Sequence, residues 1–361
     1  MINELTSGRD ASPGAAQQPP SRAERHGSEA GRVESVPGTL GIVVIGRNEG
    51  ERLKRCLESV HGLMSWTVYV DSGSVDESVA TSLARGASVV ELDPKIPFTA
   101  ARARNAGFRK LLELHPDLEY VFFVDGDCEV VPGWLTAAID FLERHPQTAA
   151  VWGRRRERYP ERSVYNLLCD MEWSSFPLGE TTACGGDAVM RVDAFRQANG
   201  FHPGLICGEE PELCVRLRRA GWRIWHIDSE MTLHDAALYR FSQWWTRMTR
   251  GGYAYAQGAH LHGRPPERHW VRESRRTWLW GLCIPLIALC GALLTGPWAL
   301  LTLLVYPLQV IRLATKNGRP TARHWLHAGA LVLSKFPETL GQIKFNWDRV
   351  RGVGSLIIEY K

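Results

Sequence analysis

The stretch Val121-Phe122-Phe123-Val124-Asp125-Gly126-Asp127 constrains this 361-residue chain more than any other. Four apolar residues of β-branched and aromatic character read as a buried strand. The strand stops in two carboxylates separated by one glycine. In open α/β sheets, ligands sit just beyond the carboxyl ends of strands. Two hard oxygen donors there suit Mg²⁺ or Mn²⁺, ions that usually hold diphosphates. A lone Asp-x-Asp is equally well an ordinary loop, so its neighbours must decide.

The chain upstream alternates strand and helix from Thr39 onward. Leu40 to Ile45 is a short apolar run and reads as a buried strand, followed by the loop Gly46-Arg47-Asn48-Glu49-Gly50. Glu51 to Leu63 carries Leu53, Leu57 and Val60 at helical spacing. Trp66 to Val70 is the next strand, ending in Asp71-Ser72-Gly73-Ser74-Val75-Asp76, with Asp76 placed to cap the following helix. Val89 to Leu92 is a third strand. This alternation predicts an α/β fold with a mostly parallel sheet. The first strand lacks Gly-x-Gly-x-x-Gly, and no Gly-x-x-x-x-Gly-Lys-Ser/Thr occurs, which disfavours dinucleotide dehydrogenases and P-loop enzymes. Asp71 is placed either to accept hydrogen bonds from a nucleobase or ribose, or to form an Asx turn. Thr99 to Leu114 reads as a helix opening with small residues. Its Arg102 and Arg104 lie two apart and face different ways, so one can reach a ligand while the other is solvated.

Composition sets outer limits. Hydrophobic content of 44% and charged content of 23% are ordinary for a globular protein. A net charge of +4 gives no bulk electrostatic case for nucleic acid. The eight cysteines form no Cys-x-x-Cys pair, which argues against a zinc site or a disulfide framework and for buried, reduced thiols in a cytosolic domain. Residues 1–38 are rich in Gly, Ser, Ala, Pro, Glu and Arg without apolar periodicity, so they read as disordered. They contain no apolar core of signal-peptide length.

Downstream of the Asp-x-Asp come three more chemistry-bearing stretches. Cys184-Gly185-Gly186-Asp187 is a glycine-bearing loop whose backbone can lie close to a substrate. Gly208-Glu209-Glu210-Pro211-Glu212 opens a helix that runs through Arg219 and stops at Gly221. Acidic residues in a first turn also serve as dipole complements, and Glu212 reads that way. Met231-Thr232-Leu233-His234-Asp235 places a histidine at the end of an extended run, a third metal position after two acidic motifs.

Taken in order, Arg-Asn-Glu, Asp-Ser-Gly-Ser-x-Asp, Ala-Arg-Asn-Ala-Gly, Val-Asp-Gly-Asp, Gly-Gly-Asp, Gly-Glu-Glu-x-Glu-Leu and a late His resemble glycosyltransferase family 2, over roughly residues 40 to 260. The resemblance implies a GT-A fold and an inverting, metal-dependent transfer of sugar from a nucleotide-sugar donor. It implies nucleotide contacts at Glu49, Asp71, Arg104 and Asp125. It also implies a Mg²⁺ or Mn²⁺ ion held by Asp125 and Asp127 with His234 completing the coordination. The family's base is typically the Asp of a Glu-Asp pair. Here the pair is Glu209-Glu210, so Glu210 takes that position with Glu209 as the alternative. The residue types suit the chemistry: one carboxylate suffices as general base, whereas glycoside hydrolysis needs two.

The last hundred residues differ in character. Trp278 to Leu294 and Trp298 to Leu313 are apolar and separated by Thr295-Gly296-Pro297. Each run is about 17 residues, at the short end for a membrane span. Arginines precede them (Arg264, Arg268, Arg272, Arg275, Arg276) and basic residues follow (Arg312, Lys316, Arg319, Arg323). Basic flanks on both sides place both ends in the cytoplasm, as a spanning or re-entrant hairpin at about 278–313. Residues 325–347 mix apolar and basic side chains and suit an interfacial helix. Gln243 to Arg250 interleaves Trp and Arg, which suits lipid headgroups or a phosphate-bearing acceptor. The expected organisation is therefore a disordered segment to residue 38, a catalytic domain over 39–260 and a membrane-associated region over 261–361. The expected location is the inner (cytoplasmic) membrane, with the catalytic domain in the cytoplasm. A lipid-linked saccharide of surface polysaccharide or glycolipid assembly is the expected acceptor. The rival readings are a nucleotidyltransferase of similar sheet and a non-catalytic membrane scaffold.

Overall fold

Apolar runs bounded by glycine and acidic turns build the sheet that positions everything else. The computed structural model describes residues 39–316 and 318–352, so the disorder expected for residues 1–38 lies outside the described residues. Strands β1 (Leu40–Gly46), β2 (Thr67–Asp71), β3 (Ser88–Glu91) and β4 (Tyr120–Asp125) pair in parallel in the order β3-β2-β1-β4. Helices α1 (Glu51–Ser59), α2 (Ser78–Ala84) and α3 (Ala100–Leu114) make the crossovers that parallel pairing requires. Val121 to Val124 have no exposure at all, as a strand covered on both faces demands. Register then aligns the strand ends: Gly46 lies opposite Asp71, and Ile45 opposite Asp125. The loops after β1, β2 and β4 therefore emerge along one edge.

The second half of the sheet departs from the mostly parallel expectation. It comprises β5 (Cys128–Val130), β6 (Thr148–Glu157), β7 (Gly179–Thr181), β8 (Ala188–Arg191) and β9 (Arg223–His234). The order continues β4-β8-β6-β9-β5, with β7 also on β9. Of these contacts only β6 with β9 is parallel; β8 runs antiparallel to β4 and β6, and β5 and β7 run antiparallel to β9. No helix separates β4 from β5 or β7 from β8, so the crossover logic of the first half does not extend to them. Helices α4 (Trp134–Arg144), α5 (Val164–Trp173), α6 (Val192–Gln197) and α7 (Glu209–Arg219) complete this part. The register places His234 opposite both Cys128 of β5 and Glu157 of β6.

Beyond the sheet, α8 (Phe241–His262) leads to two apolar rods. The first joins α9 (Val271–Trp278) through one wide turn to α10 (Ile284–Thr295). The second is a tight helical segment at Pro297–Leu304 continued by α11 (Val305–Thr315). Gly296 and Pro297 break the run between them. The rods have 25 and 19 residues, with mean hydropathy of 2.0 and 1.4 over their most apolar windows. At a rise of about 1.5 Å per residue the first is about 37 Å long, but its charged start (Arg272, Glu273, Arg275, Arg276) leaves an apolar part at the short end for a hydrocarbon core of about 30 Å. Leu293, Leu294 and Trp298 at the tip are 79%, 85% and 78% exposed, so they stand largely uncovered among the described residues. Two helices able to span a membrane are thus present among the described residues, and the expected hairpin at 278–313 lies within them. Cys283 and Cys290 sit on its exposed surface. Cys56, Cys128, Cys169, Cys184 and Cys214 are buried thiols and Cys207 is partly buried, where the sequence predicts burial for all eight.

Residues 325–347 fall into two helices rather than one. These are α12 (Ala322–Leu333) and α13 (Lys335–Arg351), and α13 buries Pro337, Thr339, Gly341, Gln342 and Phe345. Its partner is α8. A Cβ on Gly252 would collide with the Glu338 carbonyl, and one on Gly341 with the Thr249 carbonyl. Two facing glycines thus let the backbones touch, and Tyr253 and Phe345 close the contact edge-on at 5.3 Å between ring centroids. Gly341→Leu has no space to enter at this crossing. The substitution should destabilise the fold by about 1–3 kcal/mol, seen as a lower melting temperature of the detergent-solubilised protein; an unchanged melt would mean that α13 does not pack here.

Candidate active site

The loops along the carboxyl edge are tied to one another before any ligand enters. Asn48 N–H donates to Ser74 Oγ at 2.9 Å, and Asn48 Oδ1 accepts from Val75 N–H at 2.8 Å. Gly50 N–H donates to Asp76 Oδ2 at 3.1 Å, while Asp76 Oδ1 caps Ser78 N–H at 3.0 Å. Asp71 shapes the second loop from below. Its Oδ2 accepts from Gly73 and Ser74 N–H at 2.9 and 2.8 Å, and its Oδ1 accepts from the Tyr69 hydroxyl at 3.0 Å. Asp71 is 2% exposed, and Ser72 rather than Asp71 reaches the cavity wall. The Asx-turn reading therefore describes its position. Glu49 does line the cavity, paired with Arg52 at 2.7 Å.

One guanidinium collects three of the expected site residues. Thr99 caps α3 by accepting from Arg102 N–H at 3.0 Å, which sets the first turn so that Arg104 points inward. Arg104 donates to Asp125 Oδ1 at 2.8 Å, to Glu209 Oε1 at 2.8 Å and to Glu210 Oε1 at 2.6 Å. Arg102 turns the other way and donates to the Ile96 carbonyl at 2.7 Å and the Asp93 carbonyl at 3.0 Å. Burial works against the charge on Arg104, but the three carboxylates outweigh it and hold the group protonated. Burial pushes Glu210 up to about 7, the neighbouring Glu209 adds to this, and Arg104 opposes both. Gly186 lies directly over the cluster: a Cβ there would sit 2.8 Å from Arg104 Nη2 and 3.2 Å from both Asp125 Oδ2 and Glu210 Oε1. Glycine alone lets that loop come so close. Glu212 faces elsewhere. It pairs with Arg216 at 2.7 Å and with His262 at 2.8 Å.

The second carboxylate of the Asp-x-Asp meets the histidine. His234 Nε2 lies 3.4 Å from Asp127 Oδ2, and Nδ1 lies 3.6 Å from Glu157 Oε2. Burial lowers the His234 pKa, which favours the neutral imidazole that metals bind. Ligand atoms of Asp127, Cys128 and His234 lie within 4.8 Å of one another, as do those of Asp125, Cys128 and Asp187. In the first grouping the Asp127 carboxylate and the neutral His234 imidazole, both on the cavity wall, fit a divalent cation; Asp125 belongs to the second.

Arg155 and Asp187, neither assigned a role from the sequence, stand beside Asp125 in this cluster. Arg155 Nη2 pairs with Asp187 Oδ2 at 2.8 Å and Asp125 Oδ2 at 3.3 Å, and its guanidinium lies over the Trp173 ring at 5.4 Å. Asp187 has no exposure, and it also accepts from the Thr232 hydroxyl at 2.7 Å. Asp125 thus sits between two arginines. A signal for Arg155 was present: in the triplet Arg154-Arg155-Arg156 at a strand end, alternation turns the middle residue inward. Its neighbours pair with Asp228 and Glu230 near the surface.

Glu49, Arg104, Asp125, Asp127, Arg155, Glu209, Glu210 and His234 border one cavity of about 960 Å³. It begins at Gly46–Glu49 and Ser72, passes Asp125, Asp127, His234 and Glu210, and continues past Trp173 to Trp244, Arg247 and Tyr255 of α8 and Ser334, Lys335 and Glu338.

Residues 41–198 match the family model described as "Glycosyl transferase family 2". Among solved structures, the chain is similar to the mannosyltransferase PcManGT from Pyrobaculum calidifontis in complex with GDP-Man and Mn²⁺. That likeness has 18% identity, a TM-score of 0.54, and covers 86% of this chain and 88% of that one. A weaker likeness, at 18% identity and a TM-score of 0.44, is to glucosyl-3-phosphoglycerate synthase from Mycobacterium tuberculosis in complex with Mn²⁺, UDP-Glc and glycerol 3-phosphate, covering 63% of this chain and 81% of that one. The family match includes the strands and loops at the Gly46–Glu49 and Ser72 end of the cavity. Residues 41–198 are therefore a glycosyl transferase family 2 domain on a GT-A fold, and the protein is a glycosyltransferase.

Proposed function

We propose that this enzyme transfers a sugar, with inversion, from a nucleoside-diphosphate donor to a hydroxyl of a lipid-linked saccharide in surface polysaccharide or glycolipid assembly. The observation that carries this reading is the single cavity joining the nucleotide end, the Glu210 carboxylate and the helices beside the apolar hairpin. Glu49 and the backbone of the stapled loops bind the nucleotide, with Asp71 shaping the loop from beneath. Asp127 and His234, with Asp125 beside them, would hold Mg²⁺ or Mn²⁺, and the ion's charge would stabilise a departing diphosphate. The similar mannosyltransferase is described as a complex with Mn²⁺ and GDP-Man, which supports this assignment.

Glu210 accepts the proton of the acceptor hydroxyl as its oxygen attacks the anomeric carbon. The bond from that carbon to the diphosphate oxygen breaks on the opposite face. A carboxylate whose pKa lies near neutrality is basic enough to take the proton and is still roughly half ionised near neutral pH. Arg104 orients Glu210 and Glu209 and keeps Glu210 from rising further. The acceptor enters from the end lined by α8, α12 and α13. Aromatic Trp244 and Tyr255 with cationic Arg247 and Lys335 there suit a sugar-phosphate head group. On this reading residues 39–260 are catalytic and 261–361 attach the enzyme to the inner (cytoplasmic) membrane, facing the cytoplasm, because both hairpin flanks are basic.

Asp127→Ala should abolish donor hydrolysis while leaving the melting curve near that of the parent; activity retained in this variant or in EDTA would overturn the metal assignment. Glu210→Gln should lower turnover by roughly 10²–10⁴-fold with donor affinity little changed. In the parent, kcat/KM should climb as pH rises through the raised Glu210 pKa, because ionisation creates the base. Arg104→Met removes the opposing cation, so the limb should move to higher pH. A large loss confined to Glu209→Gln would transfer the base role to Glu209. Carbonate and high-salt washes should leave the protein with membranes, since apolar insertion is insensitive to salt whereas binding by basic flanks is screened. Release by salt would remove the support for a lipid-linked acceptor.

A further inference from the structure

The residue after the Asp-x-Asp turn is a cysteine, and its sulfur faces the same groups. Cys128 opens β5 opposite His234 and is 1% exposed. Its Sγ lies 3.6 Å from Asp127 Oδ1 and 3.2 Å from Arg155 Nη2. The sulfur belongs to both groupings of ligand atoms within 4.8 Å, one with Asp127 and His234, the other with Asp125 and Asp187. His234 supplies an independent observation. The residue is 8% exposed, and its Nε2 faces Asp127 Oδ2 at 3.4 Å within the grouping that holds the Cys128 sulfur. Glu157 lies behind Nδ1 at 3.6 Å, the arrangement in which an outer carboxylate orients a metal-bound histidine.

We propose that Cys128 is a ligand of the divalent cation together with Asp127 and His234, so that the site selects a thiophilic or borderline ion over Mg²⁺. The proposal rests on the metal assignment of Asp127 and His234 given above and adds a sulfur donor to it. Mg²⁺ demands oxygen ligands, whereas a sulfur, an imidazole nitrogen and a carboxylate suit Co²⁺ and Zn²⁺. On ligation the thiol proton passes to solvent, and the sulfur binds as thiolate. The sequence carries no Cys-x-x-Cys, so spacing conceals this donor: it lies next to one ligand in the chain and opposite the other only across the sheet.

The test is a titration of the full-length, detergent-solubilised protein with Co²⁺ alone, with bound metal measured by equilibrium dialysis. Bound cobalt should bring a near-ultraviolet thiolate-to-cobalt charge-transfer band. The band should persist in Cys56→Ser, a nearby buried thiol outside the grouping, and vanish in Cys128→Ser. Zn²⁺ affinity should fall in Cys128→Ser by at least the roughly 10–100-fold that loss of an outer partner costs, while Mg²⁺ affinity stays unchanged. Cadmium-113 NMR on the unsubstituted protein should show a thiolate-shifted resonance, which tests the ligand without relying on a variant that must fold. Cobalt bound without the band, or a band that survives Cys128→Ser, would overturn the sulfur ligand while leaving the metal assignment standing. Failure of the parent to bind cobalt at all would overturn both.

Discussion

The Arg104 guanidinium is the joint on which this site depends. It links α3, the end of β4 and the first turn of α7 through contacts of 2.6–2.8 Å to Glu210, Asp125 and Glu209. These elements are far apart in the chain, and apolar packing alone would not orient three carboxylates toward one point. Its side chain is 3% exposed, so its charge is tolerated only because it is paired. Removing one partner from such a buried network typically costs about 3–5 kcal/mol. The same network makes Glu210 chemically useful, because burial and Glu209 raise its pKa and Arg104 limits the rise.

Around that joint the protein uses backbone geometry where a side chain would obstruct. Gly186 lets a loop lie on the carboxylate cluster, and the Asn48–Ser74 and Gly50–Asp76 hydrogen bonds hold the loops after β1 and β2 in a fixed relation. This is preorganisation in a structural sense, since the loops need not be ordered by the ligand at the cost of its binding energy. The same device recurs at the opposite end of the cavity. Gly252 and Gly341 let α8 and α13 touch, and the helices joined by that contact also wall the cavity. The apolar rods and the catalytic sheet are in this way connected through packed helices as well as through the chain.

Much of the catalytic half was legible because its signals are local. The apolar runs at Leu40–Ile45, Trp66–Val70 and Val89–Leu92 match strands Leu40–Gly46, Thr67–Asp71 and Ser88–Glu91 to within a residue. The helix expected over Glu51–Leu63 ends earlier, at Ser59, and a tighter turn of helix fills His61–Trp66. The strand through Asp125 and the helix opening at Glu209 occur where the motifs place them. Asp71 was legible only as two alternatives, because an aspartate at a strand end can face a ligand or its own turn. The choice depends on Tyr69 and on the Gly73 and Ser74 amides.

By itself, the sequence determined that apolar strands would end in carboxylates, that Arg102 and Arg104 would diverge, and that two apolar helices would follow the sheet. Each of these depends on the period of a helix or strand and on nearest neighbours, which a linear pattern records. Only the tertiary structure decided that β5, β7 and β8 run antiparallel, and that Arg155 and Asp187 flank Asp125. It also decided that Cys128 stands opposite His234, and that α13 lies on α8. These relations join residues tens to about a hundred positions apart. They are selected by register, burial and charge pairing among many competing partners, and no local period specifies which partner prevails.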